Sequence, residues 1–310
     1  MASEEHVRQA LKIGEEQATL LMERRAEMLD RRSAAVRTRG PAAMAHVGSP
    51  FEGSTGAATA GVLVAEGDSW FDYPFHDVLK NLEDQHAFDV ESVAHRGDAI
   101  EEMAYGGGQL DELIRLLEKL NRREVKPKAI LLSGGGNDLA GDEFAMLLNH
   151  ALSPIAGLSP AMIDAVIDQR IHTAYTTILS AVTKVCDDTL GHPIPVVVHG
   201  YDYPVPDDRG FLGGWSFLPG PWLGPSFREK GFQALNDRKA MMVTLIDRFN
   251  DMLQAVVAIP AFAHVHYLDL RNTLSTAPAD YEDWWANELH PTKRGFRAVS
   301  DRFAVLLGTV

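Results

Sequence analysis

The sequence predicts an α/β domain, a three-layer sandwich with five parallel strands between helices, preceded by an N-terminal helical extension. Three observations predict it. Five short apolar runs alternate with long helical patterns, and strand–helix alternation is the signature of a parallel sheet. The runs are continuously apolar rather than alternating, as in strands covered on both faces. Finally, 310 residues with 45% apolar and 23% charged content form an ordinary globular composition with enough chain for one large core.

The extension comes first. Residues 1–39 carry seven acids and eight bases, no proline and a single glycine, Gly14, which favours one long helix. Val7, Leu11, Gly14, Ala18, Leu21, Arg25 and Met28 follow a 4-3-4-3 spacing that puts them on one face. Gly14 and Arg25 spoil this stripe as a coiled-coil seam. Two readings remain: a helix laid on the main domain, or a helix that joins a second copy of the chain or another partner. Residues 40–60, rich in Gly, Ala, Ser and Pro, read as a linker. The division is therefore 1–60 for extension and linker and 61–310 for the main domain.

The strands are Val62–Ala65, Phe88–Val93, Ala129–Leu132, Pro195–Val198 and Val265–Leu270. Helical patterns over Asp77–Gln85, Leu110–Arg123, Met162–Val185, Phe232–Val257 and Gly295–Leu307 separate or follow them. Ligands of such sheets bind at the carboxyl ends of the strands, so the residues just after each strand carry the functional question.

Charge and composition exclude several classes. Lys+Arg 29 against Asp+Glu 43 leaves a net charge of −14, which repels a phosphate backbone and argues against nucleic-acid binding. The single cysteine, Cys186, cannot close an internal disulfide, and it rules out cysteine-rich zinc and iron–sulfur sites. The charged N-terminus does not read as a secretory leader, and no apolar run reaches about 18 residues. The expected location is the cytoplasm, with no membrane span.

Three strand ends hold residues that can do chemistry. After the first strand stands Gly67-Asp68-Ser69-Trp70; Ser69 is either a nucleophile awaiting a base or part of a helix cap. After the third stands Gly135-Gly136-Asn137-Asp138, where the Asn137 amide is either an oxyanion donor or part of an Asx turn. Asn287-Glu288-Leu289-His290-Pro291 precedes the last helix, where His290 is a general base or a structural histidine. There is no Gly-x-Ser-x-Gly, P-loop or His-Glu-x-x-His. His264 and His266 alternate on a strand without a third ligand in view, so no metal site is expected.

In this order and context these blocks resemble the SGNH (GDSL) hydrolases, a family of serine esterases, lipases and carbohydrate-ester deacetylases. The resemblance spans about residues 61–310 and matches the four family signature residues to Ser69, Gly97, Asn137 and His290. Gly97 lies in His95-Arg96-Gly97-Asp98, just after the second strand. The resemblance implies the flavodoxin-like strand order 2-1-3-4-5 and a serine-nucleophile mechanism that needs no cofactor. In it Ser69 attacks, His290 serves as base, and the Ser69 and Gly97 N–H groups with the Asn137 amide form the oxyanion hole.

One position departs from the family pattern. The acid usually found three residues before the histidine is here Asn287. An amide can orient an imidazole but adds no charge to stabilise the imidazolium. Asn287 ranks first on position, with Asp283, Glu288 or a backbone carbonyl as alternatives.

Residues 201–227 hold seven of the chain's 25 aromatics, Tyr201, Tyr203, Phe211, Trp215, Phe217, Trp222 and Phe227, interleaved with glycine and proline. So many breakers preclude a regular element, and so many aromatics argue against disorder. The segment reads as a structural flap, a wall over the active crevice, or both. Trp70, Tyr201, Trp215 and Trp222 are the candidate substrate contacts. The expected activity is hydrolysis of a small-molecule carboxylic ester. Removal of acetyl groups from carbohydrate, and a binding or assembly module with a degenerate site, are the alternatives.

Overall fold

The computed structural model describes residues 2–39, 59–106, 108–213 and 218–310. In chain order the helix α1 (Glu4–Arg39) is followed by β1 (Val62–Glu66), α2 (Val78–His86), β2 (Asp89–Ser92), α3 (Ile100–Tyr105), α4 (Gly108–Arg122) and β3 (Pro127–Leu132). Two minimal strands, β4 (Leu148–Asn149) and β5 (Gly157–Leu158), pair antiparallel. Next come α5 (Pro160–Ile163), a π-helical stretch (Asp164–Ile171), α6 (His172–Leu190), β6 (Val196–His199), α7 (Gly224–Glu229) and α8 (Leu235–Val257). The chain ends with β7 (Val265–Leu268), α9 (Tyr281–Trp284) and α10 (Lys293–Leu307).

The five-stranded sheet runs β2-β1-β3-β6-β7, all parallel. Counting only its own strands, this is the expected order 2-1-3-4-5. The register pairs Ala65 with Ser92, Glu66 with Leu132, Leu132 with Val198 and Val198 with Tyr267. The carboxyl ends are therefore level, and the loops that follow lie side by side. Central strands β1, β3 and β6 bury almost every side chain, as expected for strands covered on both faces.

Helices α2 and α10 pack together on one face, and α4, α6 and α8 cover the other. Helix α4 shows why these sequences form docked helices. Leu110, Leu113, Ile114, Leu117 and Leu120 recur at helical spacing and all are buried, each burial stabilising the fold by about 1.5–3 kcal/mol. Helix α2 starts where the Asp77 carboxylate accepts the Lys80 N–H at 2.8 Å, and α10 where Thr292 Oγ1 accepts the Gly295 N–H; both satisfy donors left orphaned at a helix start.

Helix α1 lies on α6. Ala10, Gly14 and Ala18 are buried there, and Ser180 Oγ donates to the Leu11 carbonyl at 2.7 Å. Arg25, which breaks the apolar stripe, is an anchor. Its guanidinium grips Glu118 of α4 through two hydrogen bonds and lies 3.5 Å from Asp111. Met28 is exposed, so the stripe stops functioning as a packed face at Arg25. Of the two sequence readings, α1 follows the one in which the helix is laid on the domain. Residues 40–58 of the expected linker lie outside the described residues.

The one helix expected over Met162–Val185 is instead α5, a π-helical stretch and α6. A π insertion shifts the helix face by a fraction of a turn, too little to erase the apolar periodicity that the sequence displays. The short elements α3, α7, α9 and β4–β5 hold too few residues to show a period at all. No helix among the described residues is long and apolar enough to cross a membrane.

Candidate active site

The site grows from the turn after β1. Gly67 is required by close approach, because a Cβ there would stand 2.8 Å from the Ser133 carbonyl oxygen. The buried Asp68 carboxylate locks the turn. It accepts from Ser133 Oγ at 2.7 Å, from the Trp70 N–H at 3.0 Å and from the Tyr201 hydroxyl. The turns after three different strands are thereby tied to one carboxylate, and Ser69 projects from the tied turn.

His290 comes from the other end of the chain. Its Nε2 lies 2.8 Å from Ser69 Oγ, and its Nδ1 lies 3.0 Å from Asn287 Oδ1. That oxygen also accepts the Leu289 and His290 backbone N–H groups at 3.0 and 2.9 Å, which fixes it as the amide oxygen. Nδ1 must then carry the proton, leaving Nε2 to accept from the serine hydroxyl. Asn287 Nδ2 donates in turn to the Tyr73 hydroxyl at 3.0 Å. The Tyr73 ring stacks on the imidazole at 4.2 Å, and Trp222 meets it edge-on at 5.5 Å. This enclosure pushes the His290 pKa down to about 3, because burial penalises the imidazolium. At neutral pH the ring is an uncharged base.

The alternative partners for His290 are engaged elsewhere. Asp283 is on the surface, 3.8 Å from Arg294. Glu288 is fully buried, but its carboxylate accepts four backbone N–H groups, those of Asp208, Trp222, Leu223 and Gly224, at 2.6–2.9 Å. It pins Asp208 and residues 222–224 to the loop that carries His290. Sequence reading missed this clamp and missed Tyr73; neither has a motif, since both act on residues remote in the chain.

Gly97 adopts φ +92°, a left-handed conformation that favours glycine, and so turns the segment after β2 toward Ser69. Asn137 Nδ2 donates to the Asp98 carbonyl at 2.9 Å. One amide hydrogen thus holds Asn137 to the Gly97 segment and the second is left for another acceptor. Next to it the Asp138 carboxyl accepts the Ile100 N–H at 2.9 Å and is pushed up to about 6 by burial.

Two cavities meet at Ser69 and His290. The larger, about 280 Å³, is walled by Tyr73, Arg96, Gly97, Phe211 and Trp222. The smaller, about 50 Å³, is lined by Leu139 and Leu223 and by Met242 and Ile246 of α8, among others. The candidate aromatics divide between them. Trp222 lines the larger cavity. Trp70 and Tyr201 are buried, pack edge-to-face at 5.1 Å and line the smaller one. Their polar atoms are already engaged, Trp70 Nε1 with the Leu289 carbonyl and the Tyr201 hydroxyl with Asp68. Trp215 lies outside the described residues. The aromatic segment is both structural and a wall: Phe227 is core, whereas Phe211 faces the cavity.

Residues 57–298 match the model of the GDSL-like lipase/acylhydrolase family. The chain belongs to this family. Its reaction is therefore hydrolysis of an ester. Among solved structures, similarity is found to a lipase from a goat rumen metagenome, at 14% identity and TM-score 0.48, covering 79% of this chain and 96% of that one. It is also found to a catalytic mutant of an acetylxylan esterase from Geobacillus stearothermophilus, at 12% identity and TM-score 0.41, covering 82% and 97%. An inhibitor-bound aryl esterase from M. smegmatis is similar at 12% identity and TM-score 0.44, covering 81% and 99%. No curated protein matches the chain.

Proposed function

We propose that this GDSL-family hydrolase cleaves carboxylic esters through a Ser69–His290–Asn287 relay and an acyl-enzyme. The observation that carries the reading is the continuous chain of contacts: Ser69 Oγ to His290 Nε2 at 2.8 Å, then His290 Nδ1 to Asn287 Oδ1 at 3.0 Å.

Ser69 Oγ attacks the ester carbonyl carbon as Nε2 takes its proton. The oxyanion is received by the Ser69 and Gly97 N–H groups and the second hydrogen of the Asn137 amide. Collapse expels the alkoxide, which takes the proton back from Nε2 and leaves as the alcohol. Water then attacks the acyl-enzyme with His290 again as base, releasing the acid and free Ser69. Asn287 holds the tautomer without adding charge, so the imidazolium relies on the oxyanion opposite it.

An alkyl fluorophosphonate tests this reading. Ser69 should be phosphonylated, Ser69→Ala should neither label nor hydrolyse nitrophenyl acetate, and His290→Ala should lose both by at least about 10³-fold. A folded protein that hydrolyses no ester and takes no label would return the chain to the binding-module reading. A folded Ser69→Ala variant with near-wild-type turnover would remove the serine mechanism.

A further inference from the structure

We infer that the smaller cavity is the acyl chamber and that its size restricts this enzyme to short acyl groups, acetyl and propionyl foremost, while the larger cavity receives the alcohol. The inference rests on the proposed ester hydrolysis and adds the substrate class.

The two cavities share Ser69, Asn137, Leu289 and His290, so the scissile carbonyl sits at their junction. They differ in what they can accept. Apart from that junction, the smaller chamber is walled chiefly by hydrocarbon, with Leu139, Leu223, Met242, Leu245 and Ile246 prominent. The Tyr201 hydroxyl and the Asp68 carboxylate are bonded to each other, and the Asp202 carboxylate accepts the Tyr203, Asn272 and Leu274 N–H groups, so none of the three calls for a polar guest. An alkyl group fits such a lining, and a sugar or a charged alcohol does not.

The larger chamber has ring faces from Tyr73, Phe211 and Trp222 and a guanidinium, Arg96, on its wall. The Arg96 side chain is 65% exposed, so this chamber opens to solvent. The two-step mechanism needs such an opening on the alcohol side. Once the alcohol departs, the deacylating water must enter the space it vacated, while the acyl group stays on Ser69.

Volume sets the chain-length limit. An apolar cavity of ~150 Å³ holds benzene, six carbons. A chamber of about 50 Å³ therefore has room for two carbons beyond the carbonyl, three at most. Met242, Leu245 and Ile246 line it from α8, and α8 is a long helix packed against β7 and α6. The chamber wall is thus part of the core and does not yield as a surface loop would.

The test is kcat/KM for nitrophenyl acetate, butyrate, hexanoate and octanoate, in the wild-type chain and in Met242→Ala, Ile246→Val and Phe211→Ala. Wild type should prefer acetate to hexanoate by at least about 10-fold, the scale of one methylene rejected by a fixed pocket. Met242→Ala should raise the hexanoate-to-acetate ratio by about 10-fold or more. Ile246→Val should move it the same way by less, and it preserves the reading should the larger truncation fail to fold. Phe211→Ala should leave the chain-length ratio in place and change the preference between nitrophenyl and ethyl esters. A wild-type profile that is flat or rises to octanoate overturns the inference. So does a chain-length preference that moves with Phe211→Ala and not with the two α8 substitutions. Absence of turnover on every ester is a different result: it overturns the hydrolase reading, and the acyl chamber with it.

Discussion

Asn287→Asp should make a faster enzyme. Asn287 Oδ1 already accepts three N–H groups, two from the backbone and one from His290 Nδ1, at 2.9–3.0 Å. The other side of the amide meets the Tyr73 hydroxyl, which can rotate to donate to a carboxylate. An aspartate here would therefore be buried with four donors around it, the condition under which a buried charge is tolerated. Its charge would lie about 3 Å from Nδ1 and would raise the His290 pKa by roughly 1–3 units. His290 starts from about 3, so the base would still be neutral at pH 7. Each unit is 1.36 kcal/mol of imidazolium stabilisation. A transition state with a fully formed imidazolium would gain about 1.4–4 kcal/mol, or roughly 10- to 10³-fold in kcat. The assay is kcat and kcat/KM against pH on nitrophenyl acetate, with circular dichroism to confirm the fold. The acid limb should move up by roughly 1–3 units together with the rise in kcat. In a Tyr73→Phe background, where the new carboxylate loses a donor, the gain should shrink. A folded Asn287→Asp variant that is slower than wild type, with the acid limb unmoved, would refute the assigned role of Asn287.

Asn137→Ala should lower kcat by roughly 10²–10³-fold, the scale of one oxyanion donor, with KM little changed; an effect confined to KM would make Asn137 a ground-state contact. Glu288→Ala strips four backbone N–H groups of their acceptor and should destabilise the fold by about 3–5 kcal/mol in urea titrations, with Glu288→Gln milder because its carbonyl still accepts. A stability change below about 1 kcal/mol in Glu288→Ala would show that the clamp holds nothing. His290 also links stability to pH. Its folded pKa, about 3, lies below the ordinary value of about 6.5, so the unfolded chain binds the extra proton between these values. The stabilisation is present above about pH 6.5 and is lost as pH falls toward 3. Urea midpoints of wild type against His290→Ala should converge across this window, and parallel curves would contradict the burial of an uncharged ring.

The architecture was legible in the sequence because it rests on local signals. Strand–helix alternation, continuous apolar strands and the amphipathic Leu110–Leu120 pattern are properties of neighbouring residues, and the sheet and α4 follow them. The motif blocks singled out Ser69, Asn137 and His290 as candidates, with Gly97 added by the family resemblance, because short motifs are also local. What local signals could not decide was approach between distant residues. Ser69 and His290 are 221 positions apart, and only the tertiary fold, which sets the loop before α10 beside the turn after β1, brings them to 2.8 Å. Asn287, Asp283 and Glu288 all lie within seven residues of His290 in sequence. The fold turned the first to the imidazole, left the second in solvent and gave the third to the backbone of Asp208 and residues 222–224. Tyr73, stacked on the base, and the inward turn of Trp70 and Tyr201 were decided in the same way. A side chain's direction is fixed by what it must pack against and which donors it must satisfy, and those partners are set by tertiary contact, which spacing along the chain does not record.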